Sequence, residues 1–275
     1  MKRRVAKPEE IGIMLGWAAK EGWNPGLGDA EVFHRSDPAG FFVAEVDAEV
    51  VAAISVVNHS ADMAFLGLYL CRPDFRGQGI GYALWHHALA HADHRTVGLD
   101  GVADQQANYA KSGFVRAGST IRFEGTLTAE SDLRVRAATP RDLPGLIDLD
   151  EIANGYARRN FLNGWLSAAD SRRTVILETA SVCTGFATVR KCQSGVKVGP
   201  IVADTTSEAL VLARGAIAEF PSDIAIIDVP AENVALCDAL QALGFDETFA
   251  TARMYRGPAP RTGSNRQAIA TMELG

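Results

Sequence analysis

The chain has 275 residues, of which 47% are hydrophobic and 22% charged, with a formal net charge of −6, a composition typical of a globular protein with one large or two modest domains. The negative charge argues against a general nucleic-acid or membrane-surface binder, because both partners are polyanions. No apolar run approaches the roughly 18 residues of a membrane span, and the first residues lack the apolar core of a signal peptide, so we expect a cytoplasmic protein.

The first half of the chain alternates strand and helix patterns. In chain order, the apolar periodicity predicts a short strand, a helix over 7–22, two strands within 41–57, a strand over 63–71, a helix over 82–92, a strand over 96–100, a short helix over 104–112 and a closing strand segment over 113–125. This order predicts an α/β fold with a mixed sheet.

The second half repeats this order. Pro8 matches Pro140 at an offset of 132 residues. The pair Gly113-Phe114 matches Gly244-Phe245, and Arg122 matches Arg253, both at an offset of 131 residues. Three agreements in register indicate a duplicated unit. We therefore predict one domain over 1–128, a second over 132–258, and a tail over 259–275 that either adds an edge strand or is disordered.

The stretch RGQGIG, at residues 76–81, joins a predicted strand to a predicted helix. A P-loop needs a lysine followed by Ser or Thr that is missing here, and a dinucleotide fingerprint needs a third glycine where Tyr82 stands. The spacing fits instead an Arg or Gln, two residues, Gly, one residue, then Gly or Ala. Such a loop arranges backbone N–H groups around a pyrophosphate at a helix N-terminus. The predicted cradle consists of Arg76, Gly77, Gln78, Gly79, Ile80, Gly81 and Tyr82.

The stretch LGLYLCRPDFRGQGIGYALW, at residues 66–85, resembles a motif of the GNAT superfamily of acyl-CoA-dependent N-acyltransferases. The resemblance implies tandem GNAT-like domains, each with a mixed, mostly antiparallel central sheet flanked by helices. It also implies acetyl-CoA as the acyl donor. In this family the strand before the loop splays from its neighbour, and its free backbone groups pair with the pantetheine arm. The matching positions are Leu70 and Cys71, with Tyr69 beside the acceptor substrate.

A second motif, NYAKSGF, supplies the candidate acid. GNAT enzymes often carry a tyrosine four residues before a Gly-Phe pair, and Tyr109 holds that position. Its phenol is predicted to protonate the departing CoA thiolate; the alternative is a packed ring whose hydroxyl is capped by the backbone. Asn108 either orients a nearby carbonyl or caps the helix. Asp100 is the leading candidate to take the proton of the amine, and its alternative role is a turn acid before Gly101.

Substrate contacts in this family usually come from the first two helices and their connecting loop. Trp23, Asn24 and Asp29 lie there among turn-forming residues. A large aromatic ring on such a loop forms a pocket wall or fastens the loop to the core, and an acid attracts a cationic amine. The implied acceptor is the primary amine of a small molecule.

Neither a metal site nor a disulfide framework is predicted. The four cysteines are scattered without a CxxC pair, and His87 and His91, four residues apart, have no nearby acidic or cysteine ligand set. The chain is therefore expected to work without a metal. The sequence does not fix the oligomeric state, for which a homodimer is one candidate.

The second copy lacks the glycine motif. Asp204 and Glu208 stand where a pyrophosphate would lie, and Leu240 replaces the tyrosine. Carboxylates at a helix N-terminus cap the helix but repel phosphate, so we predict that this copy kept the fold and lost CoA binding. The main hypothesis is an N-acetyltransferase. The alternatives are a non-catalytic acyl-CoA sensor or interaction protein and, more weakly supported, a dinucleotide-dependent oxidoreductase.

Overall fold

The computed structural model of the protein describes residues 1–275 and contains one large sheet flanked by helices. In chain order its elements are β1 Lys2–Val5, α1 Pro8–Lys20, α2 Asp29–Ser36, β2 Phe41–Val46, β3 Glu49–Asn58, β4 Met63–Cys71, α3 Ile80–Leu89, β5 Thr96–Gly101, α4 Gln106–Lys111, β6 Val115–Gly125, β7 Val135–Ala137, α5 Leu143–Asn154, α6 Arg159–Trp165, β8 Arg172–Thr179, β9 Val182–Lys191, β10 Val196–Val202, α7 Thr206–Glu219, β11 Ala225–Pro230, α8 Val234–Ala242, β12 Asp246–Arg256 and β13 Arg266–Ala268. None of the helices is long and apolar enough to cross a membrane.

The two halves exchange their closing strands. The strand order is β1-β2-β3-β4-β5-β12-β6-β11-β10-β9-β8-β7, so β12 of the second half pairs with β5 of the first, and β6 of the first half pairs with β11 of the second. The predicted boundaries 1–128 and 132–258 therefore mark the sequence repeat and not two separate sheets. In each half, the last strand pairs next to the fifth strand of the other half.

Two equivalent buried ion pairs hold the exchanged strands. Arg253 of β12 lies directly opposite Asp100 of β5, and Arg122 of β6 lies directly opposite Asp228 of β11. Both arginines bind both carboxylate oxygens, at 2.9 and 2.6 Å in the first pair and 2.7 and 3.0 Å in the second. Arg122 and Arg253, which occupy equivalent positions in the sequence repeat, thus form equivalent buried ion pairs.

A shared hydrophobic core also joins the halves. Helix α1 buries Ile11, Met14, Leu15 and Ala18, the spacing of one helical face. This face belongs to a cluster that contains α6 of the second half, where Trp165 stacks on Phe33 with ring centroids 6.3 Å apart. Large rings buried across the contact make the halves one cooperative unit.

The tail is ordered and lies inside the protein. Its strand, β13, pairs with the inner strand β10 and not with the edge of the sheet. Strands β10 and β11 pair only at Val196 and Lys197 and then separate. The backbone of Ile269 fills the gap, donating to the carbonyl of Asp228 at 3.0 Å. The tail is thus neither an edge strand nor disordered.

Candidate active site

A groove opens where β4 and β5 separate. The two strands pair in parallel from Met63 opposite Thr96 to Leu66 opposite Leu99, and no further pairs follow although both strands continue. Leu68 has a φ of 47° and lies at a register shift against β3, which bends β4 away. Leu70 and Cys71 line the resulting groove, which has a volume of about 480 Å³. Beyond Leu66, the edge of β4 that faces β5 has no partner strand and can therefore pair with an extended ligand arm.

The glycine loop forms one end of this groove. Gly77 and Gly79 have φ values of 75° and 76°, in the left-handed region that favours glycine. Gly79 precedes the first residue of α3, so the first N–H groups of that helix have no intrahelical partner and face a site open to anions. At Gly81, an added Cβ would lie 2.8 Å from the hydroxyl of Tyr69, so this glycine leaves room for that side chain.

Arg76 is held at the groove by two contacts. Its Nε donates to the carbonyl of Cys71 at 2.9 Å, and its guanidinium pairs with Glu21 at 2.7 Å. Both side chains of this ion pair are about half exposed, so the pairing is weak and can be exchanged for a phosphate. Ile80 and Tyr82 also line the groove, whereas the side chain of Gln78 points back to the carbonyl of Asp74 at 2.9 Å. Only the backbone of Gln78 is thus available to a ligand.

A second, smaller and mostly apolar cavity of about 60 Å³ adjoins the groove. The two spaces share Trp23, Tyr69, Val102 and Gln105, which mark their junction. The rest of the cavity wall comes from both halves and the tail: Leu66, Gly67, Leu68, Leu99, Asp100, Tyr109, Arg122, Phe249, Thr251, Met272 and Glu273. The residues from β6, β12 and the tail were not predicted, because only the strand exchange and the tail path bring them here.

Tyr109 lies in this cavity wall. Its ring stacks on Trp85 with centroids 5.3 Å apart, and it fits against β5 because residue 101 is a glycine, where a Cβ would lie 2.8 Å from the ring. Burial raises the pKa of the Tyr109 phenol above its ordinary value. The phenol therefore keeps its proton at neutral pH, as a proton donor must. Asn108, which the resemblance placed among the cofactor-binding residues, lines neither the groove nor the cavity and donates to the side chain of Gln105 at 3.1 Å.

Asp100 reaches the cavity wall but is committed to the ion pair with Arg253. Its Oδ1 also accepts hydrogen bonds from Thr120 and Thr251 at 3.2 and 3.3 Å, and the side chain has no exposed surface. Hydrogen bonds from the guanidinium and the two hydroxyls thus occupy both carboxylate oxygens. The structure thus corrects the expectation that Asp100 is the base and gives it a structural role.

The structure does not bring together the three loop residues that were predicted to bind substrate. Trp23 lies at the junction of groove and cavity, and its carbonyl accepts from Arg122 and Lys197 at 3.0 and 2.8 Å. Asn24 instead exchanges hydrogen bonds with the backbone of Ser194 in the second half. Asp29 is fully buried and binds Arg172 at 2.8 Å, so it is no substrate contact. Asn24 and Asp29 therefore join the halves.

The equivalent groove of the second half is closed. Glu208 caps the first turn of α7, where it accepts from the N–H of Thr205 at 3.1 Å in a capping box. The gap between β10 and β11, which corresponds to the gap between β4 and β5, holds the tail. A carboxylate at the helix start and a peptide in the gap leave no site for a CoA arm there.

Comparison with known proteins places two related domain types on the chain. A model described as "Acetyltransferase (GNAT) family" matches residues 12–114, and one described as "Acetyltransferase (GNAT) domain" matches residues 146–269. The chain is 36% identical to the holothin acyltransferase of Pseudoalteromonas sp. (strain SANK 73390), over 99% of this chain and 94% of the relative. It is 22% identical to the uncharacterized N-acetyltransferase YitH of Bacillus subtilis (strain 168), over 97% of this chain and 96% of the relative.

Solved structures show the same fold. A protein of Pyrococcus horikoshii, provisionally assigned as an acetyltransferase, superposes with a TM-score of 0.84 at 20% identity, over 100% of this chain and 95% of that one. A tandem GNAT protein from the clavulanic acid biosynthesis pathway gives a TM-score of 0.64 at 17% identity, over 94% of this chain and 99% of that one. These matches confirm the predicted fold class and the tandem arrangement.

Proposed function

Since the chain belongs to the GNAT family of acyltransferases, with two GNAT domains in tandem, we propose that it transfers an acetyl group from acetyl-CoA to a primary amine of a small molecule. The observation that supports this proposal most is that the glycine-loop groove adjoins the cavity that Tyr109 lines, with four residues common to both walls. A donor lying along the groove brings its thioester to the junction, where an acceptor in the cavity meets it.

The groove has the parts that each section of a CoA molecule requires. The N–H groups at the start of α3, with Arg76 beside them, suit the pyrophosphate. The unpaired edge of β4 at Leu70 and Cys71 suits the amide groups of the pantetheine arm, which would extend the sheet like an added strand. The thioester then lies near Tyr69 and Trp23.

The cavity suits a compact acceptor. Its wall is mostly apolar, with Phe249 and Met272 among the residues that only the second half and the tail supply. Apolar walls with a few polar groups bind small molecules in a fixed orientation. The relative from Pseudoalteromonas is named a holothin acyltransferase, which supports acyl transfer as the reaction of this chain.

The chemical step requires a nucleophilic nitrogen and a proton for the leaving sulfur. Holding both reactants at the junction supplies much of the rate by proximity. Tyr109 lies in the wall of the same cavity, and its phenol is the proton donor that we assign as the general acid toward the CoA thiolate.

The test is a thiol-release assay with acetyl-CoA over a panel of primary amines, combined with calorimetry of CoA binding. We expect release that depends on the amine. Gly79→Ala should weaken CoA binding about tenfold, because the left-handed conformation costs a side chain roughly 1–2 kcal/mol. Gly244→Ala is the matched control, since Gly244 also has a positive φ and open space but lies outside the groove. CoA binding without release for any amine would support a sensor instead.

A further inference from the structure

The tail brings an acidic residue, Glu273, into the cavity wall. Residues 270–275 are buried, and Glu273 exposes 4% of its surface. Its carbonyl packs against β4 so closely that no Cβ fits at Gly67, which makes that glycine part of the docking surface of the tail. Glu273 and its neighbour Met272 both line the cavity that contains Tyr109.

The tail is fixed on both sides of Glu273. Before it, Arg190 donates to the carbonyl of Ala270 at 2.7 Å. After it, the His59 ring lies 2.7 Å from the carbonyl of Leu274, and Arg158 binds the carbonyl of Gly275. The tail is thus anchored to both halves through three of its backbone carbonyls. Such anchoring holds a side chain in a defined place, as a catalytic group requires.

Glu273 has no counter-ion of its own. Its side-chain partner is the Thr271 hydroxyl, and it forms no salt bridge. The cations Lys197, Arg190 and Arg122 lie near enough to favour its charged form, but none forms a salt bridge with it. Arg122 is paired with Asp228, Arg190 lies 3.4 Å from Asp29, and Lys197 donates to the carbonyl of Trp23. Burial raises the pKa of the Glu273 carboxyl above its ordinary value. The other carboxylate of the cavity, that of Asp100, forms a salt bridge with Arg253.

We propose that Glu273 is the general base that takes the proton of the acceptor amine, an assignment that rests on the proposed amine acylation. The lone pair of the amine nitrogen forms a bond to the thioester carbonyl carbon, and an N–H proton passes to the Glu273 carboxylate. The carbon–sulfur bond breaks, its electron pair leaves on sulfur, and sulfur takes the proton of Tyr109. Solvent then returns the proton from Glu273 to Tyr109, which balances the cycle.

The charged and titratable groups around Glu273 come from every element packed on the tail. They are Tyr69 of β4, Asp100 of β5, Tyr109 of α4, Arg122 of β6, Arg190 of β9, Lys197 of β10, Asp228 of β11 and Asp29 of α2. Both cavity tyrosines have their pKa raised by burial, and the carboxylates of this set are ion-paired. Glu273 is thus the carboxylate of this set that forms no salt bridge.

The test compares Glu273→Gln and Glu273→Asp with the wild type in kcat over pH 5–9, in CoA affinity and in melting temperature. Glu219→Gln, on the exposed end of α7, is the control. We expect Glu273→Gln to lower kcat at pH 7 about 100-fold or more and to lose the rise of kcat with pH, with CoA affinity unchanged. Glu273→Asp should keep that rise at an intermediate kcat, which decides the question if the glutamine variant folds poorly.

A glutamine variant with wild-type kcat and an unchanged rise with pH would overturn the assignment while leaving amine acylation intact. A wild-type protein that binds CoA but acylates no amine would overturn both. The two failures are distinguished by the activity of the wild type.

Discussion

Replacing Asp100 with asparagine tests whether the buried ion pairs lock the exchanged strands. The carboxylate of Asp100 accepts two bonds from Arg253, at 2.9 and 2.6 Å, and one each from Thr120 and Thr251. Asparagine keeps the shape and removes the charge, so the buried guanidinium of Arg253 is left without its counter-ion.

The expected loss of stability is large. Removing one partner of a buried ion pair costs about 3–5 kcal/mol, because the remaining charge is uncompensated. An unfolding entropy of about 2.1 cal/mol/K per residue over the chain converts this loss into a fall of about 5–9 °C in melting temperature. Asp228→Asn, in the equivalent pair with Arg122, should cost a similar amount.

The assay is thermal unfolding followed by circular dichroism. The control is Glu31→Gln, which breaks an exposed pair with Arg35 one helical turn away and should cost less than about 1 kcal/mol. The reasoning fails if Asp100→Asn melts within about 1 °C of the wild type. If such a stable variant has also lost turnover, Asp100 acts in catalysis and not as a lock.

Three further predictions concern the site and the tail. Tyr109→Phe should lower kcat about 100-fold, because the CoA thiolate loses its proton donor, whereas the CoA affinity measured by calorimetry should not change. A variant with wild-type turnover would refute the assignment of Tyr109 as the general acid. Glu21→Gln should tighten CoA binding up to about fivefold, because the exposed pair that occupies Arg76 is worth at most about 1 kcal/mol; weaker binding contradicts this. Burial lowers the pKa of His59 from 6.5 to about 4. Unfolding therefore takes up a proton between these values, and stability is full above pH 6.5 and falls by at most about 3 kcal/mol as the pH drops to 4. Denaturant titrations over this range should show the fall in the wild type and not in His59→Gln.

Sequence alone predicted the features that are set by local backbone geometry. The glycine loop requires positive φ values at Gly77 and Gly79, and such a requirement is visible in the residue types. The repeat was visible because it preserves residues such as Arg122 and Arg253 at one spacing. Tyr109 was found in the same way, from its distance to a Gly-Phe pair.

Sequence did not predict what depends on contacts between distant segments. The exchange of β6 and β12 leaves the apolar pattern of each strand unchanged, since either sheet position buries the same face. Asp29 reads as an exposed loop acid until Arg172, 143 residues later, is placed against it. Glu273 stands in a tail without a motif, and only the gap between β10 and β11 explains why that tail is buried.

The most direct test of the central claim follows the acetyl group itself. Acetyl-CoA labelled with ¹³C in the acetyl group is incubated with the protein and a panel of small primary amines, and the products are analysed by mass spectrometry. The account predicts an amine carrying the label, in an amount equal to the CoA thiol released. Label that stays on CoA, or that appears only as free acetate whichever amine is present, would contradict it.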